Sequence, residues 1–162
     1  MRPYARLLLA TSIVGAIACS SSKSTGPGGS GNGPITATIN GAAWSGSIDA
    51  IATRTVSSGD TIISIGGANS SESAILGLAF NNIGPGVYGI GAINEPANAI
   101  LSEGSAAWAA NITGGSGSIT VDTVTASRVT GTFQFSAVPV SGSGAAGTMT
   151  VSNGKFALSF SN

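Results

Sequence analysis

The sequence predicts an all-β domain, an antiparallel β-sandwich or barrel of about ten short strands, behind a signal peptide and a flexible linker. Three observations predict it. Apolar and polar residues alternate in runs of four to eight, the period of a half-buried strand. Gly, Asn and Ser punctuate those runs at short intervals, as turns require. No segment of the domain shows the 3.6-residue period of an amphipathic helix.

The most informative stretch is Ser118–Asn162, which sorts into two hairpins. In the second, Asn153-Gly154 reads as a type I′ turn, because that turn needs positive φ at both central residues. Folding there sets Val151 against Phe156, Met149 against Leu158 and Gly147 against Phe160. The large apolar residues then share one face, and Thr148, Thr150, Ser152, Lys155, Ala157 and Ser159 the other. In the first hairpin a loop over Thr123–Ser127 pairs Val121 with Val129 and Ile119 with Gly131, and sets Asp122 opposite Arg128 as a surface pair.

Upstream, Ile35–Ile39 alternates, Asn40-Gly41 turns the chain, and Ala42-Ala43-Trp44 returns. Ile48–Val56 and Thr61–Ile65 read as strands around Ser58-Gly59-Asp60. Ala74, Leu76, Leu78 and Phe80 alternate strictly, and Val87, Tyr88 and Ile90 follow a turn over Asn81–Gly86. Asn98–Leu101 and Ala106–Ala110 flank Ser102-Glu103-Gly104.

The N-terminus has a different composition. Met1–Ala18 reads as a signal peptide: Arg2 and Arg6 precede an apolar run, Leu7–Ile17, too short to span a bilayer. Ala16-Ile17-Ala18 stands before Cys19, the only cysteine. Ala-x-Ala fits ordinary secretory cleavage. Small residues directly before a cysteine also resemble a bacterial lipobox, although Ala16 stands where Leu is usual. Lipidation of Cys19 is the favoured expectation, because a free thiol has no evident use in an oxidising compartment and a polar segment follows. Residues 19–34 then comprise the lipidated cysteine and a Gly/Ser-rich linker, whose coil dimension is about 20 Å. Residues 35–162 form one domain, long enough for a single core.

Three segments resemble a family of small bacterial lipoproteins with a single all-β domain of unknown function. They are Ala37-Thr-Ile-Asn-Gly-Ala-Ala-Trp44, Arg128-Val-Thr-Gly-Thr-Phe-Gln-Phe-Ser-Ala137 and Val151-Ser-Asn-Gly-Lys-Phe156. The resemblance implies that fold and an envelope location, with outer membrane or cell surface as the expected site. It carries no catalytic residues.

Composition excludes much chemistry. The chain has no histidine, which removes Ser-His-Asp catalysis, histidine bases and the commonest metal ligand. With Arg2 and Arg6 set aside, six carboxylates face four scattered cations, Lys23, Arg54, Arg128 and Lys155. A nucleic-acid partner needs a basic stripe, so none is expected. Gly84-Pro-Gly-Val-Tyr-Gly89 spells a dinucleotide fingerprint, but a strand follows where a helix must. Ser20-Ser-Ser-Lys23 spells a serine–lysine motif in the linker, where nothing positions a nucleophile. Asn69-Ser-Ser71 and Asn111-Ile-Thr113 read as turns rather than glycosylation sites. Asp60 and Glu103 each offer one loop carboxylate, too few for calcium. No cofactor or metal is expected.

Trp44 is expected in the core. Trp108 and Tyr88 are the candidate ligand contacts, with Trp108 conspicuous among small neighbours. The expected function is a non-catalytic cell-envelope lipoprotein, held at the membrane by its lipid and acting as a tethered binding or structural module. A carbohydrate-binding or adhesive module is the alternative, and a two-carboxylate glycoside hydrolase the third. Without lipid on Cys19 the protein would be secreted.

Overall fold

The computed structural model describes residues 35–161 apart from Ser58, Asn82 and Ile83. The expected signal peptide, Cys19 and the expected linker lie outside the described residues. Among the described residues the fold is all-β, with no helix. Eleven strands follow in chain order: β1 (Ile35–Ile39), β2 (Ala42–Gly46), β3 (Ile48–Ser57), β4 (Asp60–Ala68), β5 (Ala74–Asn81), β6 (Gly86–Ile90), β7 (Ala97–Glu103), β8 (Ala106–Ala110), β9 (Ser116–Val124), β10 (Arg128–Pro139) and β11 (Met149–Ser159).

Five strands, β10-β9-β6-β7-β8, close into a small barrel, because β8 pairs with both β7 and β10. One wing, β11-β1-β2, continues from β10, and a second, β5-β4-β3, from β7. The pairing is antiparallel throughout the named strands except at the β6–β7 seam, where Ile90 meets Ala97 in parallel. The wings close on each other at two places. Phe160 bridges to Ala52 of β3, and Gly46 of β2 lies against Gly67 of β4. The sandwich and barrel expectations therefore both describe part of one molecule. A single apolar cluster fills it, drawn from every strand.

Asn-Gly occurs twice with opposite outcomes. Asn40 (φ 46°) and Gly41 (φ 85°) form the two-residue hairpin turn that pairs Ile39 with Ala42, as expected. Asn153-Gly154 forms no hairpin, which corrects the sequence expectation. β11 runs straight through it and pairs with β10 on one side and β1 on the other. Phe133 pairs with Gly154 and Phe135 with Val151, so Gln134 alone faces Ser152 and Asn153. This is a β-bulge, with Asn153 at φ 53°. The expected sorting survives for another reason. The extra residue switches the inward parity, so Met149 and Val151 point into the core before it, and Phe156 and Leu158 after it.

The β9–β10 hairpin is present, but its register is two residues from the expected one. Val121 pairs with Gly131, Ile119 with Phe133, and Val129 with Val124. The ladder also steps by one residue at Asp122, which has no partner of its own, so Asp122 does not face Arg128. On the other edge of β10, aromatic rings lock its register with β11. A Cβ at Gly131 would meet Phe156 Cζ at 2.6 Å, and one at Gly154 would meet Phe133 Cδ2 and Cε2 at 2.5 Å. Each ring lies over the glycine of the neighbouring strand. Phe133 stacks on Phe156 with centroids 6.4 Å apart and on Phe135 at 6.3 Å.

Candidate functional site

The predicted contacts do not form a surface. Trp108 is 6% exposed, and its Nε1 donates to the Gly147 carbonyl at 3.0 Å. Tyr88 is 1% exposed; its ring packs 4.9 Å from Phe80 and its hydroxyl donates to the Gly84 carbonyl. Both belong to the core, so neither can offer a face to a sugar ring. This corrects the expectation for both: Tyr88 lies on the inward side of β6, and Trp108 is drawn in by β8, whose two partners close the barrel over it. Trp44 is buried as expected, and its Nε1 has no hydrogen-bond partner among the described residues. Cys19 lies outside the described residues.

The carboxylates are dispersed. Asp60 sits at the start of β4 opposite Ser57, and Glu103 at the end of β7 opposite Ala106. Glu103 borders a cleft of about 490 Å³ with Trp44, Asn69 and Ser73, while Glu95 borders another of about 330 Å³ with Asn98 and Asn111. Neither cleft holds a second acid. Among the described residues no three acids or other ligands gather as a metal would need. The two Asn triplets are turns: Asn69 Oδ1 accepts from the Ala74 amide at 3.1 Å, and Asn111 Oδ1 from the Thr113 amide at 2.8 Å.

What the strands do assemble is a hydroxyl face. Pairing brings Ser45, Thr36, Lys155, Thr132, Thr120 and Val87 into one row across β2, β1, β11, β10, β9 and β6. A second row runs Thr38 and Ser152, then Gln134, Ser118 and Gly89. A third joins Thr150, Ser136 and Ser116. These positions alternate with the core positions of the same strands, so they look outward.

The bulge breaks this face open. Where β11 carries an extra residue, a hollow of about 330 Å³ lies between Thr120, Thr132, Gln134, Asn153 and Lys155. A second, of about 250 Å³, shares Gln134 and adds Ser136, Thr150 and Ser152. The joined trough offers hydroxyls, two amides and one ammonium, with no carboxylate on its walls. Asn153 reaches across to Thr38 Oγ1 at 3.5 Å. Chemically the trough can donate and accept hydrogen bonds along an extended polar chain. It contains no acid–base pair. The Thr/Ser alternation was visible in sequence, but the rows exist only once register aligns six separate strands.

The chain belongs to the family described as domain of unknown function (DUF6252), matched over residues 32–158. That span holds the whole DUF6252 trough and all but the last residue of β11. No curated protein and no solved structure matches the chain.

Proposed function

We propose that this chain is a non-catalytic cell-envelope lipoprotein: a β domain tethered through lipid on Cys19 that acts as a binding module through its hydroxyl face. The observation that carries the reading is the trough over the bulge. It is a shaped concavity lined by hydroxyls, amides and one ammonium, with no carboxylate, histidine or thiol on its walls. Bulges are common where a sheet must re-aim side chains. The placement of Cys19 after Ala16-Ile17-Ala18 supports the anchor.

The ligand that fits is an extended neutral glycan, whose hydroxyls match alternating donors and acceptors; this keeps the carbohydrate-binding alternative and moves it from Trp108 to the trough. A glycan array probed with residues 19–162 carrying Cys19→Ser tests it. Thr132→Val with Gln134→Ala should abolish any signal, and Trp108→Phe should not. Turnover of a bound glycan that Glu103→Gln or Asp60→Asn abolishes would overturn the non-catalytic reading. Cys19→Ser should move the protein from the membrane to the soluble fraction.

A further inference from the structure

The sheet has two end strands, and they differ in how their edges are covered. On β3, Phe160 bridges to Ala52 and the Ser161 amide donates to the Ala52 carbonyl at 2.9 Å. β2 stands at the other end, and among the described residues it pairs only with β1. It carries no charge, no proline and no bulge, the devices that keep an edge strand from accepting another strand. The groups on its open edge can be assigned. The Asn40 amide donates to the Thr150 carbonyl, so on β1 the backbone groups of Asn40 and Thr38 turn toward β11, and those of Ile39 and Ala37 toward β2. Ala42 and Trp44 return those bonds, which leaves the N–H and C=O of Ala43 and Ser45 pointing away from β1.

That edge borders the cleft of about 490 Å³ that also holds Glu103. β2 meets β4 at its far end, where the Gly46 carbonyl oxygen lies 3.4 Å from the Cβ position of Gly67. Before that contact the strands part. Ala42, Ala43 and Trp44 form one wall of the cleft, and Asn69, Ser73 and Glu103 the other. The second wall is braced: Asn69 Nδ2 donates to Ser73 Oγ at 3.0 Å, and Asn69 Oδ1 accepts from the Ala74 amide. Glu103 is the one charged residue lining the cleft.

We propose that this cleft is a second binding site, for an extended peptide that adds a strand to β2 and sets a lysine or arginine against Glu103. Three features choose that occupant. Ala43 and Ser45 present donor and acceptor pairs about 7 Å apart, the two-residue repeat of a strand backbone. Ile39, Trp44 and Ala74 are buried where they line the cleft, so alternate side chains of the peptide meet an apolar floor. A carboxylate with no cation on the same walls favours a basic peptide and repels an acidic one. Trp44 adds a fourth sign of an incomplete site, since its Nε1 has no acceptor among the described residues and native interiors seldom leave one so. The cleft shares no lining residue with the trough, so peptide binding does not depend on the glycan reading.

The test is a random hexapeptide array probed with residues 19–162 carrying Cys19→Ser, followed by the strongest hexapeptide in solution. Bound sequences should carry lysine or arginine at one position and apolar residues at alternate positions. Amide exchange at Ala43 and Ser45 should slow several-fold when that hexapeptide saturates the protein, while amides along the trough keep their rates. N-methylation of alternate peptide nitrogens should weaken binding several-fold in one phase and little in the other, because only one set faces β2. Glu103→Gln should bring the preference for a basic over an acidic residue close to unity. Ala43→Pro removes an outward N–H, leaves the pairing with β1 in place and should abolish binding, whereas Thr132→Val with Gln134→Ala should not change it. An array without signal overturns the proposal, as does equal binding of both N-methylated peptides or unchanged exchange at Ala43 and Ser45. Binding that survives a folded Ala43→Pro protein, or that falls with the trough substitutions, overturns it as well. If Ala43→Pro does not fold, the exchange and N-methylation readings decide.

Discussion

The guanidinium of Arg54 lies 4.2 Å over the ring centroid of Phe160. The same side chain donates from Nη2 to the Thr125 carbonyl at 2.7 Å. Beside it, the Ser161 amide donates to the Ala52 carbonyl at 2.9 Å. One residue of β3 thus holds the end of β11 and the β9–β10 turn together. It also caps an edge strand with a charge, which discourages pairing with another chain.

Arg54→Ala should therefore cost about 1–2 kcal/mol, from an exposed cation–π contact plus a charge-assisted hydrogen bond. Arg54→Lys should recover part of this. Urea unfolding of residues 19–162 with Cys19→Ser measures it, and an unchanged midpoint for Arg54→Ala would remove the clasp from the account.

The bulge makes a prediction opposite to that of a hairpin turn. Gly154→Ala should destabilise by about 1–3 kcal/mol, because its Cβ would strike the Phe133 ring. Asn153→Gly should be neutral within about 0.5 kcal/mol or slightly stabilising, since glycine adopts positive φ without strain. A type I′ turn needs glycine at 154 for its φ instead; here only the contact with Phe133 requires it. If Gly154→Ala unfolds like the parent, the ring does not lie where the structure puts it.

Face assignment in β10 and β11 can be read the same way. Phe133→Ala or Phe156→Ala should each cost about 3–5 kcal/mol, as lost transfer energy plus a cavity. Thr150→Ala, outward on β11, should stay within about 0.5 kcal/mol. Comparable losses at Thr150 and Phe156 would show that something covers the hydroxyl face.

The two tryptophans separate packing from hydrogen bonding. Trp108→Phe breaks the bond from Nε1 to Gly147 and should cost about 1–2 kcal/mol more than Trp44→Phe, where no partner is lost. Amide exchange should also quicken across 140–148, the loop that Trp108 holds. Equal effects of the two substitutions would deny Trp108 this role.

The dispersal of function in this chain explains how little of the candidate site was legible. Trp108 looked conspicuous because Ala106, Ala107, Ala109 and Ala110 are small, yet its ring turns inward on a strand held between β7 and β10. The trough has no signature residue. Thr120, Thr132, Gln134 and Lys155 are ordinary outward positions on three strands, and only pairing makes them neighbours.

By itself the sequence determined most of the strands and the aliphatic and phenylalanine side chains that they bury. A period of two leaves no other way to hide Leu76, Leu78, Phe80, Phe133, Phe135, Phe156 and Leu158 from water. It also determined the Asn40-Gly41 turn, because the strands on either side pair only with each other or with β11. Tertiary structure alone decided the second Asn-Gly. A two-residue turn and a one-residue bulge switch inward parity identically, so no local pattern distinguishes them. The twelve residues of β10 offered β11 a continuous partner, and β1 offered another. Pairing both edges of an unbroken β11 satisfies more backbone groups than folding it on itself, and the bulge that this requires is what opens the trough.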